Sequence, residues 1–307
     1  MENKDRCVVC KETAFTDLYN NPYGYPLKRC NRCKLVQAVS MPSYAQINKT
    51  YADNADQFTP YLEQLPIHTE YLYRKAKEIR FRIYDLGFRN NTSKRFLNRK
   101  SYIVNRKLLD IGCAMGIVLK AAKEAGIQAE GVDVSKDAID YCRSQGYIVH
   151  QGTLGTLLRR RTISRNAYDV VSGFMVIEHE HDPLGFATHA YSVLKKGGLL
   201  VLTTPNHDGM WRKITGKRWF EYTHPEHVVL FSPDTIRNLL KKAGFTDIIV
   251  KREPHRKYPM YTAFKRLADF SPKMIAPILL ILMRVTKELK LINPINPWDD
   301  MIVWARK

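Results

Sequence analysis

The sequence predicts an α/β protein built on a mainly parallel sheet that helices cover on both faces. From Lys107 onward, short apolar runs of strand length alternate with helical stretches of about ten residues, as crossover-connected parallel strands require. The composition is that of an ordinary globular chain, with 45% hydrophobic, 11% aromatic and 26% charged residues.

Residues 1–40 hold four of the six cysteines and show little helical periodicity. From Ser43 to Arg106 the pattern turns helical, with Tyr71, Lys75, Ile79, Arg82 and Ile83 at three-to-four spacing and a polar break at Arg89–Lys94. Lys107–Ile111 (KLLDI) reads as a buried strand, and Gly116–Gly126 as a helix ending in glycine. Ala129–Val134 then predicts a strand, Asp137–Gly146 a helix and Tyr147–His150 a strand. Tyr168–Gly173 (YDVVSG) is the next strand, followed by a helix at Pro183–Leu194 and a strand at Gly198–Thr204. After a helix at Pro233–Gly244, Thr246–Lys251 and Asp300–Ala305 complete the series. The last two leave no room for a conventional crossover helix at the chain end, which predicts an antiparallel edge. The expected divisions are 1–40, 41–106, 107–253, an insertion at 254–297 and a final strand at 298–307.

A length of 307 residues suggests about two folded units. Six cysteines are too sparse for a disulfide-stapled scaffold. The net charge of +19 is unevenly placed: residues 1–70 carry eight basic and eight acidic side chains, whereas 71–107 carry twelve and two. Residues 108–253 are nearly balanced and 254–307 are again basic. Two patches around a near-neutral middle fit a basic rim beside a site better than a general affinity for polyanions. The 71–107 excess is either a solvated helical face or an attractor of phosphate.

Met1–Cys10 (MENKDRCVVC) places charges where a secretory signal needs an apolar core. The longest apolar run, Met274–Met283 (MIAPILLILM), contains Pro277 and falls well short of the ~20 residues that span a bilayer. The expectation is a cytoplasmic protein with a peripheral contact to the inner membrane face through 273–284. The same run also suits a cover over the cleft or a helix in a dimer interface, and the oligomeric state stays open.

Asp110-Ile-Gly112-Cys-Ala114-Met-Gly116 follows a strand and opens a helix. A dinucleotide fingerprint starting at Gly112 requires glycine at 114 and 117, where this chain has Ala114 and Ile117. The small residues suit close backbone approach to a ligand without phosphates. Asp110 offers a hydrogen-bond acceptor or a compensating charge, and Asp133, ending the next strand, suits the two free hydroxyls of a ribose.

In order and spacing, LLDIGCAMG, GVDVS, YDVVSGFMVIEHEHDP and LKKGGLLVLTTPN resemble a class I S-adenosylmethionine-dependent methyltransferase. The resemblance implies a Rossmann-like seven-stranded sheet with an antiparallel last strand. It implies that Asp110, Gly112, Cys113, Ala114 and Gly116 surround the methionine part of the cofactor, with S-adenosylhomocysteine as product. Asp133 then binds the ribose, Val134 packs on the adenine, Gly152 and Thr153 lie near the adenine edge, and Gly173 and Phe174 lie beside the sulfonium. The thiols of Cys113 and Cys142 read as small core residues.

Cys7-x2-Cys10 and Cys30-x2-Cys33 fit a tetrahedral structural zinc site, closed to catalysis because four thiolates fill it. Such a module ahead of this domain, with Arg29–Val36 reading RCNRCKLV, is similar to bacterial sugar-modifying methyltransferases. Their C-methylating members carry a further C-terminal domain without a counterpart here, so only the broader group is implied.

Glu178, His179, Glu180 and His181 follow the fourth strand, on the loop that faces the transferred methyl in this fold. His179 is the first candidate general base for an acceptor hydroxyl. Trp219–Ser232 (WFEYTHPEHVVLFS) is placed beside the acceptor by its PEH-x-x-x-FS pattern, or is a loop stapled by its own aromatics. His227 is the second candidate base and His224 the third; Tyr44, Tyr51 and Tyr61 are candidate acceptor contacts. The expected activity is O-methylation, ahead of C-methylation, of a small anionic or lipid-linked sugar or glycan precursor. The rivals are an RNA methyltransferase and a nonenzymatic zinc-containing nucleic-acid-binding module. SGFMVIEH after the fourth strand differs from the N/D-P-P-aromatic loop of many enzymes that methylate nucleobase amines.

Overall fold

The structure is a computed structural model, which describes residues 6–20, 25–39, 41–43, 46, 69–75, 106–253, 258–261, 264, 267–268, 271, 274–289, 291–293 and 300–307. Tyr44, Tyr51 and Tyr61 lie outside these residues, as does most of the expected helical stretch before Arg106.

The first strands, β1 (Phe15–Asn20), β2 (Pro26–Cys30) and β3 (Val36–Ala38), form an antiparallel meander. The central sheet holds β4 (Lys107–Ile111), β5 (Gln128–Asp133), β6 (Ile148–Gln151), β7 (Tyr168–Phe174) and β8 (Leu194–Pro205). After β9 (Val229–Leu230), β10 (Thr246–Arg252) and, past the short β11 (Tyr258–Pro259) and β12 (Ile292–Asn293), β13 (Asp300–Arg306) complete it. The order of the seven-stranded sheet is β10-β13-β8-β7-β4-β5-β6. Pairing is parallel from β8 through β6, and β13 runs antiparallel to both β8 and β10. The expected antiparallel edge is therefore present.

Helices α1 (Ile117–Glu124), α2 (Lys136–Ser144), α3 (Leu154–Arg159), α4 (Pro183–Val193), α5 (Met210–Thr215) and α6 (Pro233–Lys242) connect these strands, and α7 (Ala276–Glu288) follows them. Their starts are locally encoded. The Ser135 hydroxyl accepts from the Ala138 N–H to begin α2, and Asp182 accepts from the Gly185 N–H at α4, where Pro183 occupies the first turn. At α6, Ser232 and Thr235 satisfy each other's backbone donors in a capping box. Helix α3 was not expected, because LGTLLR is only six residues long and shows less than two turns of periodicity.

Every residue of β7 is buried, as expected of a strand covered on both faces. At its start, Asp169 accepts from Arg106 (2.6 Å), Lys195 (2.7 Å) and the Lys107 backbone N–H (3.0 Å). Burial opposes ionisation of this carboxyl, but these three donors outweigh it and hold the pKa below its ordinary value. Asp169 thus clamps the amino ends of β4, β7 and β8, leaving the carboxyl ends for the site. A second buried pair, Lys75 to Glu253 at 2.7 Å, fastens the helical turn 69–75 to the end of β10.

Between β8 and α6 the chain joins the two sheets. β9 pairs antiparallel with β3, and Asn206 and His207 at the end of β8 contact Phe231 through backbone pairing. The cysteine-bearing meander is therefore continuous with the loop that leaves the central sheet. Trp219, fully buried, anchors that loop edge-to-face on Tyr222, which stacks at 5.0 Å on Tyr19 of β1.

Candidate active site

Strand β4 lies between β5, whose connections lead to one edge of the sheet, and β7, which leads to the other. Such a switch point opens a crevice at the carboxyl ends of the strands, where open α/β sheets bind ligands. The Gly112–Gly116 loop lies here. Gly112 has φ +70°, and a Cβ on it would meet the Val176 side chain at 2.4 Å; Gly116 has φ +72°, and its Cβ would meet the Cys142 sulfur at 2.9 Å. Both are therefore fixed as glycine. Ala114 also takes a left-handed conformation, with φ 42°, which explains why glycine is commoner at this position in the family it resembles.

Asp133 ends β5 facing this loop. Its carboxylate accepts from the Ala114 N–H at 2.9 Å and the Ser135 N–H at 2.8 Å, which fixes both oxygens while leaving each a free lone pair. Met115, on the loop, and Val134, next to Asp133 in the chain, are exposed apolar side chains, at 43% and 57%. A fixed carboxylate with exposed apolar residues next to it in the chain and on the loop, which carries no cation, suits a ribose and a flat heterocycle better than a pyrophosphate. The donor set fits an adenosyl group.

Other expected contacts are placed differently. Asp110 is buried, and its carboxylate accepts from the Ser172 hydroxyl at 2.7 Å. Burial pushes its pKa up to about 7, so it braces the loop from beneath. Ser172 was not singled out from the sequence, because only the pairing register Asp110↔Ser172 brings the two together. The Cys113 side chain is a core residue, as its sequence context suggests, which leaves only its backbone to the loop. The thiol lies in a core cluster with Leu119, Ile139 and Cys142, because the Cys113 N–H bonds back to Val132 and turns the residue inward. Thr153 uses its hydroxyl to cap α3, beside Gly152 at φ +139°. Gly173 lies at the end of β7, and the Phe174 ring is packed into the core, so its backbone alone borders the crevice.

Past β7 the two candidate bases meet. The His179 and His227 rings lie 5.0 Å apart, edge to face, and His224 lies 4.6 Å from His227. His227 Nδ1 is 3.2 Å from the Glu221 carboxylate, His224 Nδ1 is 3.1 Å from Glu226, and His179 Nε2 is 3.9 Å from Glu178. Burial disfavours a charged His227, but the Glu221 hydrogen bond and the charges of Glu221, Glu226 and Glu178 outweigh it and carry the pKa up to about 9. Burial, and then the charge of His227, hold His179 far below its usual range, at about 3. Burial likewise raises the fully buried Glu178 to about 7. Of the two candidate bases, the surroundings of His227 favour its protonated ring and those of His179 its neutral ring. The His179 side chain remains 31% exposed and thus within reach of a ligand.

The four cysteines converge as their spacing suggested. Cys7 and Cys33 sulfurs are 3.4 Å apart, as are those of Cys10 and Cys30, and all four lie within 4.8 Å of one another. A tetrahedron with metal–sulfur bonds of ~2.3 Å has edges of roughly 3.8 Å, within that range. Both knuckles close alike: Lys11 donates to Cys7 and Lys34 to Cys30 through the backbone, and each lysine adopts a positive φ. The hydrogen bond with Cys33 lowers the Cys7 thiol to about 5.

The model of a methyltransferase-domain family matches residues 70–250. Among curated relatives, the ubiquinone biosynthesis O-methyltransferase of Cereibacter sphaeroides (strain ATCC 17029 / ATH 2.4.9) is 27% identical over 155 residues, 46% of this chain and 61% of that protein. The Haemophilus ducreyi protein of the same name is 32% identical over 111 residues, 34% of this chain and 47% of its own. The chain thus spans about half to three-fifths of the length of the relatives it matches. Among solved structures, a SAM-dependent methyltransferase from Archaeoglobus fulgidus is 21% identical with TM-score 0.46, over 67% of this chain and 89% of its own. Phosphoethanolamine N-methyltransferase 2 of Haemonchus contortus, solved with S-adenosyl-L-methionine, is 20% identical with TM-score 0.44, over 66% and 49%.

The His227–Glu221 pair yields a test. An unfolded histidine titrates near ~6.5, and the folded His227 near 9, so the native state holds this proton more tightly. The resulting stabilisation is complete below the unfolded value and is lost as pH rises through about 9. Calorimetry should show thermal stability falling across that window in the wild type and falling less in Glu221→Gln. The variant should be roughly 3–5 kcal/mol less stable at neutral pH, having lost one partner of a buried pair. Equal pH slopes for the two proteins would contradict the assignment.

Proposed function

Because this chain belongs to the methyltransferase-domain family, we propose that it methylates a hydroxyl of a small anionic or lipid-linked sugar or glycan precursor, using S-adenosylmethionine. The observation that carries this reading is the switch-point crevice. It presents the fixed Asp133 carboxylate at the end of β5 beside the glycine loop, with the exposed Met115 and Val134 on the loop and next in the chain, while His179 follows β7, the strand on the other side of β4. Matched relatives that bear the name O-methyltransferase support oxygen as the receiving atom. The basic excess on either side of the domain supports an anionic acceptor.

When bound, S-adenosylmethionine supplies a methyl group already activated on a sulfonium. The Gly112–Gly116 loop, Asp133 and Val134 hold the cofactor and thereby fix the line of approach; positioning supplies much of the acceleration in such transfers. His179 takes the hydroxyl proton. Its basicity is low, so it acts on a proton that becomes acidic as the oxygen gains its new bond. Glu178 lies 3.9 Å from Nε2, and the neighbouring His227 charge favours prompt release of the proton from the His179 ring. Cys7, Cys10, Cys30 and Cys33 hold one structural zinc, which fixes β3 and through it the loop carrying Glu221 and His227.

Three outcomes are expected. S-adenosylhomocysteine should bind the wild type, and Asp133→Ala should weaken that binding by roughly 1–3 kcal/mol through lost charged hydrogen bonds; unchanged affinity by calorimetry would sink the ribose assignment. With radiolabelled methyl donor and lipid-linked glycan precursors, His179→Ala should lower turnover by roughly 10²-fold while leaving S-adenosylhomocysteine affinity nearly constant; full turnover removes His179 from the chemistry. Elemental analysis should find one zinc per chain. Chelation should raise hydrogen exchange in 6–38 and also in 219–231, sparing the central strands, because β3 holds β9. Purified protein without stoichiometric metal refutes the zinc site.

A further inference from the structure

Helix α7 turns an apolar face outward. Met274, Ile278, Ile281, Val285 and Leu289, on the helix and its flanks, recur every three or four residues and so form one stripe. They are 88, 59, 61, 47 and 62% exposed, and Thr286, about 100° round the helix from the middle of the stripe, is buried. An amphipathic helix ordinarily packs such a stripe against a core, and a contiguous exposed one marks a docking surface. Arg284 flanks the stripe on the Ile281 side, whereas Lys287 lies on the other face over the Tyr261 ring, and residues 254–297 carry eight basic side chains against two acidic ones.

We propose that α7 docks the protein on a bilayer of anionic lipids, lying flat with its apolar stripe among the acyl chains. The occupant follows from charge and length. A chain of net charge +19, whose 254–297 segment is itself basic, opposes placing two copies stripe to stripe but complements anionic headgroups. Thirteen helical residues extend about 20 Å, short of the ~30 Å hydrocarbon core, and among the described residues no helix is long and apolar enough to cross a membrane. A helix of this kind rests in the interface. The proposal rests on the reading of a lipid-linked acceptor, whose reactive hydroxyl is presented only at the bilayer surface.

The test uses the full chain with sedimenting vesicles of phosphatidylcholine, alone or mixed about seven to three with phosphatidylglycerol. The wild type should sediment with the mixed vesicles, less so as salt rises. The double variant Ile278→Asp/Ile281→Asp should lose at least roughly tenfold in partition while retaining S-adenosylhomocysteine affinity; both sites are exposed, so the fold tolerates the change. Equal partition of wild type and variant, or no partition of the wild type, overturns the proposal. A lipid-free dimer in analytical ultracentrifugation that the double variant dissociates also overturns it, by naming a second copy as the occupant. Partition that needs the stripe in a protein that binds no S-adenosylhomocysteine supports the docking surface and counts only against the functional reading.

Discussion

The arrangement of the active site depends on one short piece of backbone pairing. Val36 and Gln37 of β3 face Leu230 and Val229 of β9, and the Ala38 N–H donates to Val228 at 2.8 Å. These few bonds join the cysteine module to the loop that carries Trp219, Glu221, His224 and His227. The module cannot shift without moving Glu221, and Glu221 sets the charge of His227. From the module side, Gln37 accepts from the Val8 N–H and donates to the Arg6 carbonyl, so the first knuckle and β3 move together. Lys242 at the end of α6 adds a bond to the Val9 carbonyl. The four-cysteine cluster is thus tied, through β3, to the loop that carries Glu221 and His227.

Electrostatics sets His227 and His179 apart although each has a glutamate beside it. His227 is enclosed by Glu221, Glu226 and Glu178, and attraction outweighs the cost of burying a charge. His179 contacts a charged ring and lies 3.9 Å from a carboxyl that burial itself pushes toward neutrality, so it remains uncharged. The result is a fixed cation beside a neutral acceptor. That separation suits a reaction in which a proton must leave as another charge is redistributed.

Two carboxylates steady the central strands, one at each end. Asp169 gathers Arg106, Lys195 and the Lys107 N–H, while Asp110 and Ser172 pair on adjacent strands just below the glycine loop. One carboxylate is stabilised by cations and the other is neutralised toward a single hydrogen bond. Together they hold β4 and β7 in register and keep the loop from sagging into the core, so that Asp133 and Ala114 meet at the crevice.

Much of this was legible in the sequence. The alternation of buried strands and capped helices is local: Ser135, Asp182 and Ser232 begin their helices with side-chain bonds to residues three positions on. The glycine loop and the paired C-x2-C knuckles were legible for the same reason, since backbone conformation and ligand spacing are set within a few residues. The sequence also brought His179 and His227 into consideration together. It was silent on the pairing of β3 with β9 and on Ser172 beneath Asp110, because each depends on which distant strands are neighbours. It was equally silent on which histidine is charged. Proton affinity is fixed by burial and by the distance to Glu221 and Glu178, and those quantities exist only once the chain has folded.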